Sequence, residues 1–325
     1  MKVAFFDSKN YDVESFQKFK TSGSDFKFFE TKLSPDTVEL ARGYNAVCVF
    51  VNDVVNKEVI DKLISFNVQL IALRCAGYNN VDIKAAQGKI KVVRVPAYSP
   101  NAVAEHTMAL LLTSVRRIHK AYIRIKDFNF SLSGLTGFDL CGKTIGVIGT
   151  GKIGKEFIDI CNGFKMNVLA YDIAQNKDVK AKYTDLNTLF EKSDIISLHC
   201  PLTPQTQYII NKKSIEKMKK GVVIINTSRG ALINADDLLE GIKSRKIGAA
   251  CLDVYEEEAG VFFNDFSGHI IDDDTLARLI TMPNVILTSH QAFLTTEALN
   301  NIAETTINNI LDIEKNNSSK NEVII

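Results

Sequence analysis

The sequence has little excess of charge of either sign and no long apolar run. Its 39 Lys and Arg residues against 38 Asp and Glu give a formal net charge of +1, and the basic residues are scattered. Such a chain offers no electrostatic surface for nucleic acid or an anionic membrane. No apolar run approaches the ~18 residues of a membrane span, and the N-terminal MKVAFFDSKN is too short for a signal-peptide core. We therefore expect a small-molecule partner and a cytoplasmic location.

The cysteines lack the spacings that hold metals or redox disulfides. Neither CxxC nor a Cys/His zinc pattern occurs, and most of the cysteines lie in apolar segments, as reduced, buried thiols do. We predict neither a disulfide nor a metal site. The six positions are Cys48, Cys75, Cys141, Cys161, Cys200 and Cys251.

Apolar runs alternate with helix-periodic stretches along the whole chain, a pattern typical of parallel α/β sheets. The length of 325 residues exceeds what one hydrophobic core usually supports, which favours two domains. One series of predicted strands comprises residues 2–6, 26–29, 46–49, 70–73 and 91–94. A second comprises 144–148, 167–171, 195–199, 222–226, 249–252 and 285–287, with a short edge strand at 182–183. These predict a small α/β unit followed by a doubly wound sheet of nucleotide-binding size.

Two long helices are predicted outside the strands. Ser99 is a suitable N-cap and Pro100 suits the first turn of an apolar helix that we expect to reach about Lys120. Its apolar stripe fits a core helix and a dimer interface equally well. A final amphipathic helix is predicted over 298–315, followed by a loose polar stretch at 316–322.

A dinucleotide-binding fingerprint lies in KTIGVIGTGKIGKEFIDICNGFKMNVLAYD. An apolar strand leads into Gly149, Gly151 and Gly154, a helical stretch follows, and a second apolar run ends on Asp172. The first glycine permits a tight turn, the second lets backbone amides approach a pyrophosphate, and the third lets helix and strand pack closely. The acid is placed to hold an adenosine ribose. We therefore predict NAD as the cofactor, and NAD over NADP because a carboxylate repels a 2′-phosphate.

Three later strands end in polar residues that suit hydride transfer. VVIINTSRG places Arg229 after one strand, AACLDVYEEE places Asp253 and an acidic cluster after the next, and NVILTSH places His290 after the last. Arginine grips a carboxylate bidentately, imidazole donates a proton to a carbonyl oxygen, and a neighbouring carboxylate keeps that imidazole protonated. Singly, each residue is more often structural. Jointly, at successive strand ends, they favour a catalytic site.

His199 in IISLHCP is the rival base, because it also ends a strand. Pro201 fixes a backbone turn where a cofactor would cross the sheet edge, so we assign this segment to the cofactor lining. His106 and His119 on the long helix are interpreted as packing or hydrogen-bonding residues, and His269 receives no role.

Seven motifs give the chain a resemblance to the D-isomer-specific 2-hydroxyacid dehydrogenases over nearly its full length. The loop FFNDFSGHIIDDD is typical of the lactate-type branch of that family. The resemblance implies two Rossmann-like or flavodoxin-like α/β domains with parallel sheets. The cofactor domain, residues 100–297, would be inserted into a substrate domain formed by 1–99 and 298–325. The motifs are RCAGYNNVD, VPAYSPNAVAEH, GTGKIG, HCPLT, NTSRGALI, LDVYEEE and SHQAFLT.

The same resemblance implies the roles of individual residues. Arg229 matches the arginine that binds the substrate carboxylate, Glu258 the acid paired with the catalytic histidine, and His290 the proton donor. Backbone amides near Ala76 and Gly77 would bind the substrate carboxylate. Cofactor contacts are implied at Lys152, Ile153, Asp172, Cys200, Pro201, Thr206, Thr227, Ser228 and Asp253.

The expected reaction is the reversible, NADH-dependent reduction of pyruvate to D-lactate. Tyr98 would help to close the cleft, and with Phe50 and Phe293 it would wall a pocket for small acids; Phe50 is equally consistent with ordinary core. A dehydrogenase for bulkier, hydroxyisocaproate-type acids is the alternative within the family. An NAD-sensing corepressor is the alternative from another class. We expect a homodimer or a tetramer built as a dimer of dimers.

Overall fold

The computed structural model describes residues 1–19, 25–258 and 261–324. The chain forms two compact units, Met1–Ser99 with Leu294–Ile325, and Pro100–Phe293. We call them the first and the second unit. The chain returns to the first unit at Leu294, whereas the sequence placed that change at residue 298. Residues 20–24, 259–260 and 325 of the predicted domain ranges lie outside the described residues.

The first unit is built on a five-stranded parallel sheet in the order β2-β1-β3-β4-β5. Every residue of β3 and β4 is buried, as expected for parallel strands covered on both faces. That burial explains why these strands read as unbroken apolar runs. The strands are β1 (Lys2–Phe5), β2 (Asp25–Phe28), β3 (Ala46–Val49), β4 (Leu70–Leu73) and β5 (Lys91–Val93).

The C-terminal helix completes the first unit by packing on its first helix and on β4. The side-chain amide of Asn309 donates to the carbonyl oxygen of Arg94 at 2.9 Å, and the amino group of Met1 pairs with Glu314. The helices are α1 (Asn10–Lys18), α2 (Lys57–Ser65), α3 (Ile83–Ala86) and α11 (Thr296–Asn316), with a 3-10 helix at Val38–Ala41.

The tail after α11 is ordered by pairing, which corrects the prediction of a loose stretch at 316–322. Glu322 forms an antiparallel bridge with Val93, and the amide of Arg94 donates to the carbonyl oxygen of Asn321 at 3.1 Å. Strand β5 lies at the edge of the sheet, so its outer backbone groups need partners that the tail supplies.

The second unit is built on a seven-stranded parallel sheet in the order β12-β11-β10-β9-β6-β7-β8. The chain builds outward from β6 in one direction and then returns to its other side with β9. Ligands of open α/β sheets bind at the carboxyl ends of the strands beside such a switch point. The strands are β6 (Thr144–Ile148), β7 (Asn167–Tyr171), β8 (Lys182–Tyr183), β9 (Ile195–Leu198), β10 (Val222–Asn226), β11 (Ile247–Leu252) and β12 (Val285–Leu287).

The predicted helix from Pro100 to about Lys120 is two helices. The break falls at Arg117, which adopts the left-handed conformation with φ 54°. The helices of this unit are α4 (Pro100–Arg116), α5 (Ile118–Lys126), α6 (Lys152–Gly163), α7 (Leu186–Lys192), α8 (Lys212–Lys217), α9 (Ala235–Lys243) and α10 (Asp274–Thr281), with a 3-10 helix at Gly230–Leu232.

The α/β fold class with two parallel sheets is confirmed, and each predicted strand is present with ends that differ by at most two residues. One end matters for the site, because β9 stops at Leu198 and leaves His199 outside the strand. Among the described residues, no helix combines the length and the apolar character needed to cross a membrane.

Candidate active site

The turn between β6 and α6 is shaped to receive a phosphate group. Gly149 adopts φ 98°, and a Cβ there would lie 2.5 Å from the carbonyl carbon of His199, so only glycine fits. A Cβ on Gly151 would meet no atom within 4 Å, and no side chain caps α6, which begins at Lys152. The first amides of this 12-residue helix therefore border open space, where the helix dipole favours an anion.

Asp172, which follows β7 directly, lies beside this turn. The backbone amide of Thr150 donates to Asp172 Oδ2 at 2.6 Å, and the Thr150 hydroxyl donates to the same oxygen at 3.0 Å. The structure therefore brings the predicted ribose acid together with the glycine turn, as the fingerprint requires.

His199 is enclosed between neighbouring groups. Its Nε2 lies 2.9 Å from Ser197 Oγ, and the centre of its ring lies 4.9 Å from that of Phe157. Burial lowers the pKa of His199 to about 3. The imidazole is consequently a weak proton acceptor that stays neutral near pH 7, so His199 does not suit the role of the rival base.

Five other predicted cofactor residues follow β9 and β10. Cys200 is buried, and the hydroxyl of Thr206 donates to the carbonyl oxygen of Pro201 at 2.7 Å, closing the turn after β9. Thr227 is buried with its hydroxyl 2.8 Å from that of Thr107 on α4. The Ser228 hydroxyl donates to the carbonyl oxygen of Leu198 at 2.9 Å, which ties the end of β10 to that of β9.

Arg229 lies half-buried just past β10. Its Nη1 donates to the carbonyl oxygen of Ser228 at 2.6 Å, and the side-chain amide of Asn226 donates to the carbonyl oxygen of Arg229 at 2.8 Å. These bonds fix the backbone that carries the guanidinium. No acidic partner of Arg229 is found among the ion pairs of the described residues, so its charge is available to an anion.

His290 and Glu258 form a hydrogen-bonded pair. His290 Nδ1 lies 3.0 Å from Glu258 Oε1, and the two side chains are 18% and 21% exposed. The backbone amide of Tyr255 donates to the other carboxylate oxygen at 3.2 Å, which orients Glu258. With Nδ1 engaged, Nε2 is the nitrogen left to exchange a proton with a substrate.

The loop that carries His290 is held by a buried carboxylate. Asp253 is fully buried, and it accepts hydrogen bonds from the Thr288 hydroxyl and from the amides of Gln291, at 2.9 Å, and Ala292, at 2.8 Å. His290 itself has φ 56°, and its amide donates to the carbonyl oxygen of Asp253 at 2.7 Å. Asp253 thus holds the loop, and the cofactor contact that the family resemblance implies for it stays a prediction.

His106 belongs to this network, in agreement with its interpretation as a packing or hydrogen-bonding residue, but its link to the loop that carries His290 was not predicted. Its Nε2 lies 3.4 Å from Asp253 Oδ1 and 3.3 Å from Thr288 Oγ1. Burial pushes the pKa of Asp253 upward, but hydrogen bonds from His106, Thr288 and two backbone amides outweigh it and lower that pKa. The only signal in the sequence was the position of His106 in the motif VPAYSPNAVAEH.

Four of the predicted substrate residues belong to the first unit. Ala76 and Gly77 follow β4, and the carbonyl oxygen of Ala76 accepts from Arg94 Nη1 at 2.9 Å. The Tyr98 carbonyl oxygen accepts from a side-chain amide of α11 at 2.6 Å. Phe50 follows β3, is 8% exposed and packs its ring on a buried guanidinium 4.8 Å away. Phe293, the last residue of the second unit, is 7% exposed.

Comparisons with known proteins identify the family. Residues 108–292 match the model of the D-isomer specific 2-hydroxyacid dehydrogenase, NAD binding domain. The chain is 49% identical over 329 residues to the D-lactate dehydrogenase of Escherichia coli, with all of both chains covered. The apo-structure of the Escherichia coli enzyme superposes with a TM-score of 0.91 at 46% identity, again covering both chains fully. A D-2-hydroxyisocaproate dehydrogenase superposes with a TM-score of 0.86 at 30% identity and 99% coverage of each chain. The chain belongs to the D-isomer-specific 2-hydroxyacid dehydrogenase family, with an NAD-binding domain of the Rossmann type.

Proposed function

We propose that the protein is a D-lactate dehydrogenase that reduces pyruvate to D-lactate with NADH, reversibly. The observation that carries the proposal is the 3.0 Å contact between His290 Nδ1 and Glu258 Oε1 at the end of the sheet that carries the glycine turn. The 49% identity to a D-lactate dehydrogenase along the whole chain favours pyruvate over bulkier acids. The sequence identity to a D-2-hydroxyisocaproate dehydrogenase is lower, at 30%.

In this proposal NAD supplies the hydride chemistry when it is bound, and the protein supplies orientation and the proton. Glu258 holds the imidazole of His290 by Nδ1, so that Nε2 donates a proton to the keto oxygen of the substrate. Arg229 grips the substrate carboxylate with two parallel hydrogen bonds. Asp253 and the loop it holds keep His290 in place during this exchange.

The second unit would then be the NAD-binding domain and the first unit the substrate domain. The amides at the start of α6 suit a pyrophosphate, and Asp172 suits the hydroxyls of the adenosine ribose. Further cofactor contacts are proposed at Lys152, Ile153, Cys200, Pro201, Thr206, Thr227 and Ser228. In the substrate domain we assign the amides of Ala76 and Gly77 to the substrate carboxylate, and the pocket walls to Phe50 and Tyr98, with Phe293.

The protein would act as a homodimer, or as a tetramer of two such dimers. Helix α5 has no buried residue, yet it and the segment after it present large apolar side chains that are 53–84% exposed. An apolar surface of this kind on a folded protein indicates an interface. Most oligomers are symmetric assemblies of identical chains, so we take a second copy of this chain as the partner. The side chains are Ile118, Tyr122, Ile123, Ile125, Phe128, Phe130 and Leu132.

Light scattering on a size-exclusion column tests the assembly. The wild type should elute with at least twice the 36.1 kDa mass of the chain, and Phe130→Asp should shift it toward the monomer. A monomeric wild type would contradict this part of the proposal. The cytoplasmic location stays a prediction.

The reaction is tested by measuring NADH oxidation with pyruvate, 2-ketobutyrate and 2-ketoisocaproate, with chiral analysis of the products. We expect kcat/KM to be highest for pyruvate and the product to be D-lactate. A preference for 2-ketoisocaproate would assign the chain to the bulkier acids. Binding of NADH without turnover of any acid would favour an NAD-sensing corepressor instead.

A further inference from the structure

The carboxylate of Asp172 is fixed by three donors of its own chain. Thr150 donates to Oδ2 twice, from its amide at 2.6 Å and from its hydroxyl at 3.0 Å, and the amide of Ala174 donates to Oδ1 at 2.9 Å. Because both oxygens are engaged, the carboxylate cannot turn about its own axis without breaking one of these bonds. An ionised carboxylate has about four acceptor positions, so roughly one stays available to a ribose hydroxyl.

Thr150 is in turn fixed by a tyrosine of the edge strand β8. The hydroxyl of Tyr183 donates to Thr150 Oγ1 at 3.0 Å. The same hydroxyl accepts a hydrogen bond from the backbone amide of Asn176 at 2.9 Å. The amide can only donate and the carboxylate can only accept, so the chain of bonds runs from Asn176 through Tyr183 and Thr150 to Asp172. The Tyr183 proton has a second acceptor in the carbonyl oxygen of Asn176 at 3.1 Å. The branch through Thr150 ends on a charge, which strengthens it.

This network also fixes the backbone that follows Asp172. The side-chain amide of Asn176 donates to the carbonyl oxygen of Thr150 at 3.4 Å, so residues 172–176 are joined to the glycine turn at both ends. Thr150 is 1% exposed, so its side chain is enclosed by its neighbours. A 2′-phosphate beside Asp172 would have to displace the carboxylate, and displacement breaks the whole chain of bonds.

We propose that Tyr183, acting through Thr150, is a positioning residue that sets the preference of this enzyme for NAD over NADP. The charge of Asp172 repels a 2′-phosphate only while the carboxylate faces it. Without the tyrosine hydroxyl, Thr150 Oγ1 loses a donor and its own hydroxyl can rotate away from Asp172. The carboxylate then keeps only its two backbone amide donors and is held less firmly against a 2′-phosphate. This inference rests on the proposed contact between Asp172 and the adenosine ribose.

The test is equilibrium binding of NADH and NADPH to the full-length protein without substrate, followed by nucleotide fluorescence. In Tyr183→Phe we expect the ratio of the NADPH to the NADH dissociation constant to fall by about 3- to 10-fold, the effect of one hydrogen bond. The dissociation constant for NADH should change less than that for NADPH. Thr150→Ala should lower the ratio similarly, and Thr150→Ser, which retains a hydroxyl, should restore it.

Asn162→Ala is the matched control. The Asn162 side-chain amide donates to the carbonyl oxygen of Lys180 at 3.0 Å, so it anchors the same connection between β7 and β8 without contacting Asp172. Its ratio should equal that of the wild type. Circular dichroism and thermal unfolding of each variant measure any loss of the fold.

The double variant Asp172→Ser with Tyr183→Phe completes the test. Because the tyrosine acts through Asp172, it should have no further effect on the ratio once the carboxylate is gone. An unchanged ratio in Tyr183→Phe would overturn the inference, as would an equal change in Asn162→Ala or an undiminished effect in the double variant. If Asp172→Ser itself leaves the ratio unchanged, the proposed ribose contact fails, and the inference fails with it. If Asp172→Ser lowers the ratio and Tyr183→Phe does not, the proposed ribose contact stands and only the role of Tyr183 is overturned.

Discussion

Histidines follow two strands of the second unit's sheet, and they differ in what surrounds their rings. His199 follows β9, is packed against Phe157 and has its pKa lowered by burial to about 3. His290 follows β12 and holds a carboxylate, Glu258, at 3.0 Å. Both histidines therefore lie at the carboxyl ends of parallel strands, where the ligands of such sheets bind. The comparison teaches that position at a strand end selects candidates, whereas a carboxylate partner on the ring identifies the acid.

Replacing the paired histidine should have the largest effect. His290→Gln removes the proton donor, and we expect kcat for pyruvate reduction to fall by about 10²- to 10⁴-fold, the usual range for a general acid. The dissociation constant for NADH should stay within about twofold, because the glycine turn and Asp172 are untouched. Steady-state rates and a fluorescence titration measure the two quantities. A variant with wild-type kcat would remove His290 from the mechanism.

Removing the partner should cost less than removing the histidine. Glu258→Gln retains the size of the side chain and a hydrogen-bonding oxygen but deletes the charge that favours the imidazolium. We expect kcat to fall by about 10- to 100-fold, the value of a charge-assisted hydrogen bond. Glu257→Gln is the control on the same acidic run and should retain full activity. Equal losses in the two variants would mean that local structure, not the pair, was disturbed.

His199 should affect the pH dependence of the free energy of unfolding rather than the rate of catalysis. Unfolded His199 binds a proton near its ordinary pKa of 6.5, whereas the folded protein binds it only near 3. The unfolded state therefore holds more protons between these values. Stability should fall as pH falls below 6.5, with a slope of up to ~1.4 kcal/mol per pH unit from this group.

His199→Gln removes that titration. Between about pH 6.5 and about pH 5 we expect the free energy of unfolding of the variant to fall less than that of the wild type, by ~2 kcal/mol. Urea unfolding at a series of pH values measures this difference. Identical pH dependences in the two proteins would show that His199 is accessible to protons when folded.

The smallest expected effect concerns a strand end of the first unit. Phe50 follows β3 as the histidines follow their strands, but it is 8% exposed and its ring packs on the guanidinium of Arg74. If its exposed edge lines the substrate pocket, Phe50→Leu should lower the ratio of kcat/KM for pyruvate to that for 2-ketoisocaproate by about 10-fold. A constant ratio with a lowered melting temperature would show that Phe50 is core.

Much of the fold could be predicted because its physical causes are local. Strands buried on both faces must be apolar throughout, and the glycine turn needs φ values that few other residues adopt. The break at Arg117 could not be predicted, because an arginine in the left-handed conformation has no signature in the sequence. The pairing of the tail with β5 depends on an edge strand more than two hundred residues away, which no local pattern encodes.

The candidate site was predictable in its residue types but not in all of its contacts. Arg229, Asp253 and His290 stood out at strand ends, yet the choice of Glu258 within the acidic run came from the family resemblance. The buried role of the Asp253 carboxylate depends on the path of the loop that follows Thr288, so the sequence could not separate a loop contact from a cofactor contact. The partners of His106 in this loop could not be predicted for the same reason.

The central claim is that the protein reduces pyruvate to D-lactate with His290, not His199, as the proton donor. The most direct measurement is the single-turnover rate of NADH oxidation by excess pyruvate in the wild type, His290→Gln and His199→Gln, with chiral analysis of the lactate formed. We predict D-lactate from the wild type, a rate within about tenfold of wild type for His199→Gln, and a loss of about 10²- to 10⁴-fold for His290→Gln. A fast His290→Gln beside a dead but folded His199→Gln, or L-lactate as the product, would contradict the account.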